Sequence, residues 1–105
     1  MKGVPLHIYE IASRDSVRLS LTGELDLRSA PMLEDRLVRL RAKKSPVRLD
    51  ISKVEFIDST GIRLLIQTVG EARIKGWPFQ IEPDVRPQVM RVFRLARLEH
   101  FVMST

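Results

Sequence analysis

Val17, Leu19 and Leu21 alternate with Arg18, Ser20 and Thr22, and further along Val47, Leu49 and Ile51 alternate with Arg48, Asp50 and Ser52. Period-two alternation is the signature of a strand with one buried face and one wet face. A sheet built from such strands keeps one face open, so every helix between them must gather on the other side. Phe79 and Ile81 against Gln80 and Glu82 repeat the pattern, and Ile8 to Ala12 is a weaker strand ahead of the rest. The short apolar end, Phe101 to Met103, is expected to return to the sheet as a further strand.

Helix signals lie between these strands. Ser29 is placed to cap a first helix with Pro31 in its first turn, where no intrahelical donor is lost. Leu33, Leu37 and Leu40 then form an apolar stripe, and Pro46 stops the helix from running far. A second helix should begin within Asp58 to Gly61 and run to about Lys75, with Ile62, Leu65, Ile66 and Val69 on one face and Gly76 as its stop. Gly70 inside it costs about 1 kcal/mol against Ala, which points to close backbone packing or a small bend. Asp84 is expected to cap a third helix carrying Pro87 in its first turn, with Val89, Val92, Phe93 and Ala96 on its apolar side. The fold class that follows is α/β, a single-layer mixed sheet of four to five strands with about three main helices covering one face. One domain is expected to occupy residues 1–105, because a chain of this length has room for one core.

The run Asp58-Ser59-Thr60-Gly61 falls at the join between an apolar strand and an apolar helix. It sets two hydroxyls on a tight turn beside a carboxylate, with no bulky residue directly after them, where a protein kinase could reach. Asp and Ser are also ordinary helix N-caps that satisfy orphan backbone donors, so the turn by itself has a purely structural explanation.

Composition narrows the chemistry. The net charge of +5 and pI near 10.2 suit an anionic partner. The basic residues, however, recur on helices, at Arg36, Arg39, Arg41, Lys43 and Lys44 and again at Arg86, Arg91, Arg94 and Arg97, where cations complement helix C-termini. The six aromatics are not interleaved with them as single-strand stacking would need, so direct nucleic-acid binding is not expected. A solvated face accounts for the basic residues, with one stripe of Arg91, Arg94 and Arg97 facing an acidic protein as the alternative. No stretch approaches the roughly 20 apolar residues of a membrane span, and the first residues lack the apolar run of a signal peptide. A cytoplasmic protein is expected, and zero cysteines fit a reducing compartment. His7 and His100 are not in metal-ligand spacing, and neither a phosphate-cradling Gly-rich loop nor a nucleophile elbow is present. No catalytic residue, metal or cofactor is expected, and the chain is not expected to be an enzyme.

Leu21-Thr22-Gly23-Glu24-Leu25-Asp26, Val47-Arg48-Leu49-Asp50-Ile51-Ser52 and Phe56-Ile57-Asp58-Ser59-Thr60-Gly61-Ile62, taken in register, resemble the STAS domain of the anti-sigma factor antagonist family, from about Val4 to Val102. The resemblance implies a phosphorylation site at Ser59, with Thr60 ranked below it. It also implies a partner-binding surface of Asp26, Asp58, Ser59, Thr60 and Gly61, in which Asp58 helps set the acceptor turn. A side chain at Gly61 would crowd the approach of partner and kinase, although helix-start geometry alone would also select glycine there. The partner it implies is an anti-sigma factor with serine-kinase activity, with a phosphatase as a further partner. The unmodified form would bind the kinase and free a sigma factor or other client, and phosphorylation would end that binding. The alternative is a non-catalytic STAS subunit on the ATPase of an ABC-type lipid-transport complex. Many members carry a Thr-Gly-Leu-like turn after the third helix; Ala96-Arg97-Leu98 has no glycine, so that helix is expected to run longer or end differently.

Overall fold

The alternating segments form the sheet that their pattern demands. A computed structural model describes residues 3–98 and 100–103. Its elements in chain order are β1 (His7–Ala12), β2 (Val17–Leu25), α1 (Ala30–Ala42), β3 (Val47–Ile57), α2 (Ser59–Lys75), β4 (Phe79–Ile81), α3 (Pro87–Leu95) and a short α4 (His100–Met103). The four strands lie in the order β1-β2-β3-β4; β1 and β2 are antiparallel, and β2, β3 and β4 run parallel through the crossovers α1 and α2.

Val17, Leu19, Leu21 and Leu25 of β2 point into the core, where Leu33, Leu37 and Leu40 of α1, Leu65 of α2 and Val89 and Phe93 of α3 meet them. The helices thus share one face. The opposite face carries Arg18, whose guanidinium donates to Glu82 at 2.9 Å and to Asp50 at 3.1 Å. Burial acts to raise the Asp50 pKa, but hydrogen bonds from Ser52 and Ser20 and the charge of Arg18 outweigh it and hold the carboxyl below its ordinary value.

Strand β3 departs from simple alternation. Its inward residues are Val47, Leu49 and Ile51, then Val54 and Ile57. The β2 register explains the change of step: Ser20 pairs with Asp50 but Thr22 with Lys53, and Gly23 pairs with Val54 but Glu24 with Phe56. Each shift inserts one extra residue into β3, a bulge that re-aims the strand just before the Asp58 turn.

Both main crossover helices have the expected spans, while several local details differ. Ser29 occupies the N-cap position of α1 but makes no capping bond. For α3 the N-cap is Arg86, in extended conformation, rather than Asp84, since Pro87 forces the preceding residue out of helical geometry. A Cβ placed on Gly70 would meet nothing within 4 Å, and α2 continues without a break, so Gly70 is not explained by close packing.

The third helix ends without glycine by spending a strained residue. Arg97 takes φ +60°, the Arg97 amide donates to the Arg94 carbonyl at 2.9 Å, and the Leu98 amide donates to the Phe93 carbonyl at 2.7 Å. These are the two bonds of a Schellman cap, whose left-handed position usually belongs to glycine. Gly76 closes α2 in the same left-handed conformation. The turn at Arg97 also redirects the chain, so Phe101 to Met103 lie in α4 rather than in a further strand. Phe101 comes under the Arg73 guanidinium, 6.0 Å from the ring centre, at the last turn of α2.

Candidate functional site

Strands β2 and β3 run parallel, so their carboxyl ends, Leu25 and Ile57, emerge side by side and each is followed by an acidic residue and a helix. In open α/β sheets this edge is where binding sites form, because loops there are free of the ladder. Asp26 and Asp58 therefore follow adjacent strand ends.

The Asp58 turn is tied in two directions. Asp58 Oδ1 accepts the Gly61 amide at 3.0 Å, which caps α2, and Oδ2 accepts the Leu27 amide of the neighbouring loop at 3.1 Å. The Asp58 amide donates in turn to the Leu25 carbonyl at 3.2 Å. One carboxylate thus fixes the helix start and its position against the β2–α1 loop. Because Asp58 does the capping, Ser59 is relieved of it, and Ser59 is exposed at the first helical position. Thr60 is partly buried.

Of the two explanations open for Gly61, the packing at the helix start is the one its surroundings support. Gly61 is buried, and a Cβ there would fall 2.7 Å from the Leu25 carbonyl oxygen and 2.9 Å from side-chain carbons of Leu25 and Ile57. Its missing side chain lets α2 sit directly on the ends of β2 and β3, and what it clears is room for the chain itself rather than for a visitor.

Asp26 organises its own loop. Its Oδ1 accepts the Arg28 amide at 3.0 Å and the Ser29 amide at 3.1 Å. Ser29 Oγ accepts the Asp26 amide at 2.9 Å and lies 2.8 Å from the Glu24 carbonyl, a bracing role in place of a cap. Burial acts to raise the Asp26 pKa, but the bonds from Ser29 and Arg28, with the Arg28 charge, prevail and lower it.

Two grooves flank the turn, the first of them apolar and the second mixed, and the sequence had given no warning of them. One, about 370 Å³, runs between α2 and α3 and is lined by Ser59, Ile62, Arg63, Ile66, Val92 and Ala96. The other, about 170 Å³, runs between α1 and α2, where Leu27, Pro31, Glu34, Thr60, Arg63 and Leu64 meet. Leu27 is 69% exposed. An apolar residue isolated between Asp26 and Arg28 in a polar loop was the one available signal. A larger cavity, about 470 Å³, lies at the other end of the sheet among Trp77, Phe79 and Phe101 and includes none of the expected site residues. Among the described residues no group of His, Asp and Glu side chains is arranged to hold a metal ion, and no helix is long and apolar enough to cross a membrane.

A single-layer α/β domain with a four-stranded mixed sheet and its helices on one face defines the class. The chain belongs to the STAS domain family: the family model described as "Mlab, STAS domain" matches residues 10–104. Among curated relatives, an anti-sigma-B factor antagonist of Bacillus subtilis is 24% identical over 90 residues, which covers 86% of this chain and 82% of that one. The crystal structure of an anti-sigma factor antagonist from Mycobacterium paratuberculosis is similar with a TM-score of 0.77 and 27% identity, covering 90% of this chain and 80% of that one. The Bacillus cell fate determinant SpoIIAA in its phosphorylated form shares the fold, with a TM-score of 0.69 and 17% identity over 90% of this chain and 87% of its own.

Proposed function

We propose that this chain is an anti-sigma factor antagonist that works by partner switching at Ser59. With Ser59 unmodified it binds an anti-sigma factor that is also a serine kinase, and phosphorylation of Ser59 ends that binding. The observation that carries the reading is the division of labour at the start of α2, where Asp58 caps the helix and leaves the Ser59 hydroxyl exposed beside an apolar groove. The antagonists to which the chain is similar support the class of partner. A phosphorylated form of a protein with this fold supports the modification.

In the transfer, Ser59 Oγ forms a bond to the γ-phosphorus of ATP while the bond from that phosphorus to the bridging oxygen breaks. ADP leaves, and the hydroxyl proton passes to a base of the kinase. The product gains about −1.5 to −2 charges at neutral pH. At a helix N-terminus this is favourable by about 0.3 to 1 kcal/mol, so the fold survives. Burying the same group against an apolar partner surface is costly, and a penalty of only about 2.8 kcal/mol weakens binding roughly a hundredfold. A phosphatase resets the cycle.

The test uses the partner that copurifies with the chain from its own cells. Ser59→Ala should bind it as the unmodified protein does, while Ser59→Asp should bind at least about tenfold more weakly with an unchanged circular dichroism spectrum. Equal binding by the two variants overturns the switch. A second reading is a subunit seated on the ATPase of a lipid-transport complex, for which the word Mlab in the matching family description is the one pointer. Copurification of an ABC-type ATPase in place of a kinase would select it.

A further inference from the structure

Arg63 stands four residues after Ser59 on α2, which is continuous from Ser59 to Lys75. Positions four apart on a helix are surface neighbours, and helical side chains tilt toward the N-terminus, so Arg63 reaches back toward the turn that carries Ser59. An anion placed N-terminal to a cation at this spacing is the better of the two orders. Arg63 is exposed and lines both grooves, with Ser59 on the α3 side and with Thr60 on the α1 side. The ion pairs found among the described residues use Arg18, Arg36, Arg41 and Arg48, and none uses Arg63.

The surroundings leave this guanidinium available. On the α3 side the groove wall is Val92 and Ala96, both apolar; on the α1 side the one acid is Glu34. The Asp58 carboxylate is already held by the Gly61 and Leu27 amides. The basic side chains Arg91 and Arg94 of α3 and Arg28 of the adjoining loop are exposed and line neither groove.

We infer that Arg63 is an internal phosphate clamp: once Ser59 carries a phosphate, the Arg63 guanidinium binds its oxygens along the surface of α2. The inference rests on Ser59 being the modified residue. Guanidinium and phosphate match as a planar two-point pair, stronger than a point charge would give. The clamp stabilises the dianion over the monoanion, so the second pKa of the phosphate falls below its usual value of about 6. The modified surface then presents an anion partly neutralised from within, less able to recruit a cation from a partner.

The experiment places phosphoserine at position 59 during synthesis of the full chain, so that no kinase is needed, and follows the phosphorus NMR shift against pH. Arg63→Gln should raise the second pKa by about half a unit, and Arg63→Lys by less. Lys75→Gln, which removes the same charge at the far end of α2, should leave it where it is. The Arg63 effect should shrink in about 1 M salt. An unchanged pKa in Arg63→Gln, or an equal shift in Lys75→Gln, overturns the clamp. Failure to find phosphate on Ser59 in cells would overturn the switch, whereas the same second pKa in parent and Arg63→Gln would overturn the clamp alone.

Discussion

Two serines sit at the starts of helices that follow neighbouring parallel strands, Ser29 before α1 and Ser59 in α2, and the fold uses them in opposite ways. Ser29 is drawn inward: its hydroxyl takes the Asp26 amide and meets the Glu24 carbonyl, and the loop closes on itself. Ser59 is turned outward, because the residue before it caps the helix and braces the neighbouring loop. The same side chain at the same kind of junction is structural in one place and available in the other. The carboxylate decides which: Asp26 bonds only within its own loop, while Asp58 bonds in two directions and frees the hydroxyl beside it.

The contrast can be broken most severely at Gly61. Gly61→Ala drives a Cβ against the Leu25 backbone, and we expect a loss of about 3 kcal/mol in a urea melt, the upper part of the range for overpacking. A loss below about 0.5 kcal/mol would mean that α2 is not seated so closely on the strands. Next, Ser29→Ala should cost about 1 kcal/mol, as braced hydrogen bonds are lost, whereas Ser59→Ala should stay within about 0.5 kcal/mol of the parent. Equal effects from the two serines would erase the distinction.

Acid titration sharpens the same comparison on the Asp26 side. Its folded pKa lies below the unfolded value, so the carboxylate contributes stability at pH above the unfolded pKa, near 3.9, and that contribution is lost as pH falls through the lower folded pKa. The stability gap between the parent and Asp26→Asn should therefore be full at neutral pH and close in acid. A gap that widens on acidification would reverse the assignment. The smallest effect is at the far end of α3, where Arg97→Gly relieves a left-handed residue and should stabilise the fold by about 0.5 to 1 kcal/mol in thermal melts.

Most of the fold was readable because its information is periodic. Leu19, Leu21, Leu49 and Ile51 announce the sheet, and Leu33, Leu37, Leu65 and Phe93 announce helices that must share one side of it. What escaped was encoded in single insertions and in contacts across elements. The bulges that carry β3 from Ile51 to Val54 and Ile57 leave no mark in local pattern, since an extra residue in one strand is visible only against its neighbour. The end of α3 was hidden because Arg97 adopts a conformation that local preference assigns to glycine, with the Phe93 and Arg94 carbonyls holding it there. Phe101 to Met103 read as a strand by composition, yet the chain after the turn at Arg97 forms α4, and Phe101 meets Arg73 in the last turn of α2.

The site divides along the same line. Asp58, Ser59 and Thr60 could be found from the junction they occupy, and Asp26 from the motif before it. Gly61 had two explanations, contact surface and helix start, and what separates them is Leu25, distant in sequence and adjacent in space. Leu27, Arg63 and the groove formed with Val92 needed the packing of three helices before they could be recognised as neighbours of one hydroxyl.

Partner switching stands on one covalent event, and one spectrum reads it directly. The protein is isolated from its own cells under several growth conditions, and the tryptic peptide of residues 54–63, which holds both hydroxyls, is fragmented. A phosphate localised to Ser59, its occupancy changing with the condition, is the predicted result. A peptide that stays unmodified in every condition while the client still responds, or a phosphate confined to Thr60, contradicts it.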